Sequence, residues 1–396
     1  MIRVDYPGPI EEISRRQILG RPCPEFFREA LETVAARGFG REGNAWTLTL
    51  GPSLLFDESG LRVLIEGLRA YRGDGSHILF RIKLDAAAYR DYYSLGRDPD
   101  AALSIALPVE AKRTSGGSGR DTITVDVRYS STIPPYPRSL AQPAPVMTPL
   151  ALLMEYHGDV DLLFANQIAL FSRLAREVPW SLRTWLRALI MRRSGGWKRR
   201  LGLAYARIHP TADVHPTAVI EGSVIEADAR IAAHSVVRYS HIGRRAVLHD
   251  GAKVEFSVVG PGSWLMHDLV CFRCLLEDEV FLIHGPYQFS SFQSGSAAFA
   301  TIMMDYRPDG LPLRVATRSG LREYGGRFLG ALLQEGAKAL GGSLLAPGIT
   351  LPADTWLACD PDTVHRPVLG VLPQNVAVPP RRKAPSEVAA EPSLGA

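Results

Sequence analysis

Residues 208–282 read IHPTADVHPTAVIEGSVIEADARIAAHSVVRYSHIGRRAVLHDGAKVEFSVVGPGSWLMHDLVCFRCLLEDEVFL. Apolar side chains recur in this stretch every seventeen residues, in three columns. The columns are Ile208, Ile225, Ile242, Val259 and Leu276; Val214, Ile231, Leu248, Leu265 and Leu282; and Ile220, Val237, Val254 and Cys271. An apolar residue therefore returns every five or six positions. A small or apolar residue follows most of them four places later: Ala212, Ala218, Ala229, Ser235, Ala246, Ala252 and Ser263.

This spacing is the hexapeptide-repeat periodicity of a parallel β-helix. Each step is one short strand on one wall of a triangular prism, with its aliphatic side chain inside. The small residue four places later fits near a corner, where a large side chain would collide. One turn cannot bury its own apolar row, so the turns must stack and cover each other. An α-helix needs apolar spacings of three and four and an ordinary strand needs two, so neither explains the period.

The composition describes an ordinary soluble protein. The 396 residues have room for two or three domains, and 46% are apolar and 22% charged. The net charge of +4 is too small to indicate a nucleic-acid partner. The N-terminus lacks an apolar signal core, and no apolar run is long enough to cross a membrane. We therefore expect a cytoplasmic protein with reduced cysteines.

Cys271 and Cys274 have the spacing of a metal-binding pair, but no second pair or nearby histidine completes a zinc set. Cys271 also occupies an inward column of the β-helix. We expect a reduced core cysteine and no metal site.

Residues 1–149 are expected to form a mixed α/β domain. Helical spacing covers 24–36 and 61–70, and strand patterns cover 45–56, 77–84, 102–109 and 122–127. Prolines crowd 131–148, which makes that stretch a covering segment or a linker.

Residues 150–206 are expected to form a helical connector that is rich in cations. A basic amphipathic helix over 173–207 could lie on an anionic membrane surface. The alternative, which we favour, is a connecting helix that packs on the β-helix and keeps its cations in water.

After five turns the apolar columns disappear over residues 289–328 and then resume. The resumed positions are Leu333, Ala339, Leu345, Leu351 and Leu357. We expect a β-helix domain over 207–372 with an inserted loop over 289–328, and a disordered tail over 373–396. Long ordered loops in compact domains usually carry function.

The residues around this break resemble a known family. They are His284-Gly-Pro-Tyr287, then Thr301-Ile-Met-Met-Asp-Tyr-Arg-Pro-Asp-Gly310, then Gly326-Arg-Phe-Leu-Gly-Ala-Leu-Leu-Gln-Glu-Gly-Ala-Lys338, then Leu345-Ala-Pro-Gly-Ile349. Their order is similar to the acetyltransferase half of the bifunctional sugar-1-phosphate nucleotidyltransferase/glucosamine-1-phosphate acetyltransferases. The resemblance implies a left-handed parallel β-helix and a homotrimer with active sites between subunits.

A second segment, residues 157–166, is similar to the end of the family's nucleotidyltransferase domain. The family's Gly-x-Gly-x-Arg-x-x-Pro-Leu phosphate loop has no counterpart, so we expect a degenerate N-terminal domain without nucleotidyl transfer. A rearranged nucleotidyltransferase would need a metal-binding pair of acids. Asp159 and Asp161 are the candidates, and they fit better as helix-start residues.

Acetyl transfer to an amine needs a base, and histidine suits this role. His209 and His215 begin corner turns, and His234, His241, His249 and His267 lie off the inward columns, so all six are expected at the surface. The resemblance makes His284 the general base.

The resemblance implies further site residues. Tyr287 would hold the sugar phosphate or sugar hydroxyls, and Arg273 would bind phosphate. Asp305, Tyr306 and Arg307 would line the cleft for the acyl donor, acetyl-CoA. Gly341 and Ala358 would let the pantetheine arm lie along the prism.

Two hypotheses follow. The first is a hexapeptide-class acyltransferase that moves an acetyl group from acetyl-CoA to an amino-sugar phosphate or nucleotide sugar. The second is a non-catalytic relative that binds a sugar nucleotide, regulates or scaffolds. Asp305 stands where the family has asparagine, which favours the second hypothesis, and His284 and Tyr287 favour the first.

Overall fold

The computed structural model describes residues 2–36, 46–96, 104–113, 119–132, 146–178, 182–190, 196–359 and 376–378. Most of the proline-rich stretch and of the predicted tail over 373–396 lies outside these residues.

The N-terminal region contains a five-stranded mixed sheet and helices that cover it. The sheet order is β1 (Ile2–Asp5), β4 (Trp46–Leu50), β7 (Ser104–Arg113), β6 (His77–Lys83) and β8 (Arg120–Asp126). The helices are α1 (Glu11–Ser14), α2 (Cys23–Ala36), α3 (Glu58–Ala70) and α4 (Ala86–Tyr92), with a 3₁₀ turn at Ser94–Gly96. Three two-stranded ribbons pair β2 (Gln17–Ile18) with β3 (Arg21–Pro22), β5 (Leu54–Phe56) with β11 (Leu153–Glu155), and β9 (Tyr129–Thr132) with β10 (Val146–Pro149).

The C-terminal region is a three-sided parallel β-helix. Its first sheet stacks β12 (Ala206–Ile208), β15 (Ser223–Ile225), β18 (His241–Ile242), β21 (Val258–Val259), β24 (Leu275–Leu276), β27 (Ser291–Phe292), β32 (Leu332–Leu333) and β35 (Thr350–Leu351). The second stacks β13 (Asp213–Val214), β16 (Arg230–Ile231), β19 (Val247–Leu248), β22 (Trp264–Leu265), β25 (Phe281–Ile283), β28 (Ala297–Phe299), β33 (Lys338–Ala339) and β36 (Trp356–Ala358), and ends with the antiparallel strand β37 (Val376–Val378). The third stacks β14 (Val219–Glu221), β17 (Val236–Arg238), β20 (Lys253–Glu255), β23 (Val270–Phe272) and β26 (Tyr287–Gln288), and β29 (Ile302–Met303) pairs with β34 (Leu344–Leu345).

The seventeen-residue period sets the register of this coil, so the predicted parallel β-helix is confirmed. Ile208 pairs with Ile225, and Ile225 pairs with Ile242. The inward columns form one buried core along the prism. One corner adopts the left-handed backbone region on seven successive turns, at Asp228, Arg245, Gly262, Glu279, Gly295, Gly336 and Asp354. Glycine is the residue that adopts this conformation without steric cost, which accounts for its presence at three of these seven positions.

Helix α5 (Asp159–Glu177) joins the two regions as a shared core element. Every residue from 160 to 174 is buried. The Asp161 carboxylate accepts hydrogen bonds from the backbone N–H groups of His157 at 2.6 Å and Gly158 at 3.1 Å. Asp161 therefore serves the helix start, as the sequence suggested. The expectation that connector cations stay in water is wrong for Arg173, which is buried and bonds Glu177 at 2.9 Å.

Two shorter helices follow α5. They are α6 (Leu182–Ile190) and α7 (Trp197–Ala204), and α7 leads into the first strand of the coil.

The predicted insertion over 289–328 needs a correction, because the coil continues to Met303. The strands β27, β28 and β29 complete another turn, and the chain leaves the prism only over residues 304–330, which we call the excursion. This turn has sixteen residues instead of seventeen: Leu276 pairs with Phe292. Because this turn is one residue shorter, its inward positions no longer fall at the seventeen-residue spacing by which the columns were recognised. The excursion carries a hairpin of β30 (Leu313–Thr317) and β31 (Gly320–Tyr324).

Candidate functional site

The hairpin of the excursion docks on the N-terminal region. The Tyr324 hydroxyl donates to the carbonyl oxygen of Asp91 at 2.7 Å, and its ring stacks on Phe164 with centroids 5.5 Å apart. Arg322 Nη1 donates to the carbonyl oxygen of Leu95 at 3.0 Å. The Ser94 hydroxyl accepts from the backbone N–H of Gly325 at 3.0 Å. These contacts fix the excursion against the 3₁₀ turn at residues 94–96.

A cleft of about 1070 Å³ lies between the excursion, this turn and the coil. Its lining includes Asp305, Tyr306 and Arg307, which the resemblance implied for a donor cleft. Gln288 of the coil also borders it. The three implied residues are therefore brought together in one concave site of a size that holds a small-molecule ligand.

The cleft has more cations than the sequence pattern suggested. Arg322 and Arg327 are exposed and line it, and Tyr324 and Phe328 provide aromatic surface. Guanidinium groups suit phosphate because they offer paired donors in a rigid fork. The sequence pattern did not single out Arg322 and Tyr324, because their contacts are with residues more than two hundred positions away. Arg327 and Phe328 lie in the family-like segment 326–338, but the resemblance assigned them no role.

Arg307 contributes less positive charge to the cleft than its type suggests. Its Nε and Nη2 atoms donate to the two carboxylate oxygens of Asp309 at 2.9 and 2.5 Å. The adjacent guanidinium lowers the pKa of Asp309, which therefore stays ionised and paired. Arg322 and Arg327 are thus better placed than Arg307 to attract an anionic ligand.

His284 lies at an exposed corner of the coil, immediately after β25. Its backbone is in the left-handed region, with φ of 62°. It does not line the cleft, although Gln288, four residues later, does. The implied base is accessible, but it does not share the cleft with Asp305, Tyr306 and Arg307.

His284 belongs to a group of histidines at one corner. Trp264 pairs with Phe281 and Leu265 with Leu282, so His267 lies at the same corner one turn earlier. The rings of His267 and His249 are 4.8 Å apart. Burial and the neighbouring His267 lower the pKa of His249.

The expectation for His241 is wrong, because its side chain is buried. Its Nδ1 atom lies 3.3 Å from Nη1 of Arg173. An arginine can only donate, so Nδ1 accepts and the ring is neutral. Burial first, and then Arg173, lower the pKa of His241 to about 3.

The role implied for Tyr287 is contradicted by its position. The side chain is 0% exposed, and its hydroxyl donates to the carbonyl oxygen of Ile283 at 2.9 Å. Burial raises the pKa of Tyr287 to about 12. Tyr287 pairs with Cys271, so it continues an inward column. Because this turn is one residue shorter, the tyrosine of the His-x-x-Tyr segment falls inside the prism, where a sugar cannot reach it.

The phosphate-binding role implied for Arg273 is also contradicted. Arg273 is 2% exposed, and its Nη1 atom donates to Tyr92 Oη and to Gln167 Oε1, both at 3.1 Å. Its guanidinium also lies 5.4 Å from the ring centre of Phe256. Arg273 therefore fastens the coil to the N-terminal region and is closed to a ligand.

Gly341 and Ala358 lie on the last turns, away from the cleft lining. A Cβ atom built on Gly341 would have its nearest neighbour, the Phe299 carbonyl oxygen, at 3.6 Å, which is an ordinary van der Waals contact. Ala358 pairs with Val376 of β37. Whether a pantetheine arm uses either residue stays a prediction.

Cys271 and Cys274 are buried and carry no disulfide. Within the described ranges, no three histidine, cysteine or acidic residues lie close enough to hold a metal ion.

Comparisons with known proteins give structural similarities to part of the chain. A variant of GDP-perosamine N-acetyl transferase from Caulobacter crescentus, in complex with CoA and GDP-perosamine, is 16% identical with a TM-score of 0.24, over 39% of this chain and 56% of that one. A hexapeptide transferase family protein from Anaplasma phagocytophilum is 18% identical with a TM-score of 0.25, over 39% and 75%. The acetyltransferase domain of PglB from Neisseria gonorrhoeae FA1090 is 19% identical with a TM-score of 0.19, over 40% and 56%. A second structure of that domain contains acetyl coenzyme A.

No protein-family model matches the sequence, and no curated protein matches it.

Proposed function

We propose that this protein is an acyltransferase of the hexapeptide class that transfers an acetyl group from acetyl-CoA to an amino-sugar phosphate or a nucleotide sugar. The observation that carries the proposal is the cleft. Asp305, Tyr306 and Arg307 line it, and they belong to the segment of the excursion that resembles the acetyltransferases. The positive charge of Arg322 and Arg327 supports a phosphate-bearing ligand there. The proposal includes a left-handed winding of the coil and a cytoplasmic location.

His284 is the general base in this proposal. The acceptor amine attacks the thioester carbonyl carbon, the C–N bond forms, and the C–S bond breaks as coenzyme A leaves as a thiolate. The imidazole of His284 takes the amine proton and can pass it to the thiolate. His284 does not line the cleft of its own chain, so the proposal also includes a homotrimer in which it faces the donor cleft of a second copy.

The test is thiol release from acetyl-CoA in the presence of glucosamine-1-phosphate and a panel of amino sugars. We expect His284→Ala to lower turnover by about a hundredfold or more, because positioned proton transfer is typically worth 10²–10⁴ in rate. His267→Ala is the matched control, since it removes an exposed histidine from the equivalent corner one turn earlier. Equal losses in both variants, or none in His284→Ala, would remove His284 from the mechanism.

A non-catalytic sugar-nucleotide-binding or scaffold protein is the second candidate. The burial of Arg273 and Tyr287 favours it, because the two residues that the resemblance assigned to the acceptor site are closed to an acceptor. This candidate predicts that nucleotide sugars bind in calorimetric titrations, that Arg327→Ala weakens the binding, and that no acceptor releases thiol. Turnover with any acceptor would exclude it.

A further inference from the structure

Helix α6 turns its apolar face away from the protein. Leu186, Leu189 and Ile190 are 55%, 72% and 79% exposed, and Leu182 and Trp185 are exposed as well. The spacing of these residues puts them on one side of the helix. The sequence favoured a helix packed on the coil with its cations in water, and α6 has its apolar face in water instead.

The opposite side of α6 attaches it to the protein through small residues. Thr184 and Ala188 are buried, and Ala188 packs with Leu201 and Ala204 of α7. Trp185 and Trp197 extend this contact, with ring centres 5.4 Å apart. α6 is therefore held in place on its small-residue face, and among the residues that the structure describes nothing packs over the leucine face.

The sequence that contains α6 is strongly basic. Residues 178–212 contain eight lysine and arginine residues and no acidic residue, while the whole chain has a net charge of only +4. The rest of the chain is therefore net acidic. Arg183 and Arg187 lie on α6 itself, beside the exposed leucines. An interfacial helix combines leucine and tryptophan on one face with flanking cations, and lies in the plane of an anionic membrane.

We propose that α6, with its leucine face and its cations Arg183 and Arg187, docks this protein on the surface of an anionic lipid bilayer. The leucine face enters the boundary between headgroups and acyl chains, and the cations contact anionic headgroups. Within the described part of the chain no helix has the length and apolarity to cross a membrane. The docking does not depend on the proposed enzyme activity.

The experiment is flotation of the full chain with vesicles of phosphatidylcholine alone and of an equimolar mixture with phosphatidylglycerol. We expect the protein to float with the anionic vesicles, to bind the neutral ones weakly, and to dissociate as salt screens the charges. The double variant Leu186→Ser/Leu189→Ser should lower the partition coefficient by at least about tenfold, since two leucines lose apolar burial. Arg183→Gln/Arg187→Gln should reduce binding to the anionic vesicles and leave binding to neutral vesicles unchanged.

Leu321→Ser is the matched control, because Leu321 is equally exposed but lies on the hairpin. Circular dichroism and sedimentation must show that every variant keeps its fold and oligomeric state. Absent binding to anionic vesicles, or unchanged binding in both double variants, overturns the proposal. A change of oligomeric state in the leucine variant also overturns it, since the face would then be a contact between protein copies.

Discussion

Gln167 and Arg273 hold each other with two hydrogen bonds. Gln167 Oε1 accepts from Arg273 Nη1 at 3.1 Å, and Gln167 Nε2 donates to the carbonyl oxygen of Arg273, also at 3.1 Å. Gln167 is on the shared helix α5 and Arg273 is at a corner of the coil. The pair therefore links the N-terminal region to the β-helix at a point that solvent does not reach.

Replacement of Arg273 should destabilise the protein. Arg273→Ala removes the two hydrogen bonds that the guanidinium donates to Gln167 Oε1 and Tyr92 Oη, and buried hydrogen bonds to charged groups are worth about 1.5–3 kcal/mol each. We expect the free energy of unfolding, measured with urea, to fall by about 3 kcal/mol. Arg327→Ala, at an exposed cleft position, should change it by at most about 0.5 kcal/mol. If Arg273→Ala keeps its stability and loses ligand affinity, the interface role is wrong.

Tyr287 should behave as a core residue. Tyr287→Phe removes the hydroxyl that donates to the Ile283 carbonyl oxygen, and should cost about 1 kcal/mol of stability while leaving turnover intact. Tyr287→Ala empties an inward position of the prism and should cost about 3–5 kcal/mol. Urea unfolding and thiol release measure the two effects. Loss of turnover in Tyr287→Phe at unchanged stability would instead show that the hydroxyl acts on substrate.

The coil could be predicted because its period repeats without change over five rows. The inward positions, such as Ile225 and Ile242, are constrained by the turns above and below, so each row restates the pattern. The end of the pattern could not be placed, because a turn that loses one residue shifts every later column. Tyr287 is an example. It matches the tyrosine of the family motif in sequence, but its side chain lies inside the prism.

The contact between the two regions is visible in the sequence as a second row of apolar residues, outside the inward columns. The residues before the first column, Val224, Val258, Leu275 and Leu332, face outward and are buried in the shared core. Apolar side chains on both faces of one sheet predict that something covers its outer face. His241 belongs to this outward row and is therefore buried under the N-terminal region. The prediction of a surface position, which relied on its place outside the inward columns, was wrong for this reason.

His241 should make stability depend on pH. Its pKa is about 3 in the folded protein and near 6.5 when exposed, so the unfolded chain binds the extra proton between these values. Its contribution to the free energy of unfolding therefore falls as pH drops below 6.5, by about 1.4 kcal/mol per pH unit. His241→Asn should remove this contribution from the stability curve, whereas His267→Asn, at an exposed site, should leave it in place. Urea unfolding between pH 5 and pH 8 measures both, and parallel curves for wild type and His241→Asn would contradict the prediction.

Glu277 should give the opposite slope. It lies 3.6 Å from Arg16 and accepts from the Ser294 backbone N–H at 3.3 Å, yet burial raises its pKa to about 7. The folded state then binds the extra proton between pH 4.5 and pH 7. Its contribution to stability is present below pH 4.5 and is lost as pH rises through 7, by about 3 kcal/mol at most.

Glu277→Gln should therefore gain stability relative to wild type as the pH rises from about 4.5 to 7. Glu226→Gln is the matched control, because Glu226 occupies the same column of the coil three turns earlier and is only partly buried. Between pH 4.5 and 6.5 the contributions of Glu277 and His241 oppose each other, so the wild-type curve should be flatter than that of either variant. Urea unfolding across this range measures the free energy of unfolding as a function of pH. If the wild-type curve is as steep as the curves of both variants, the contributions of Glu277 and His241 do not oppose each other.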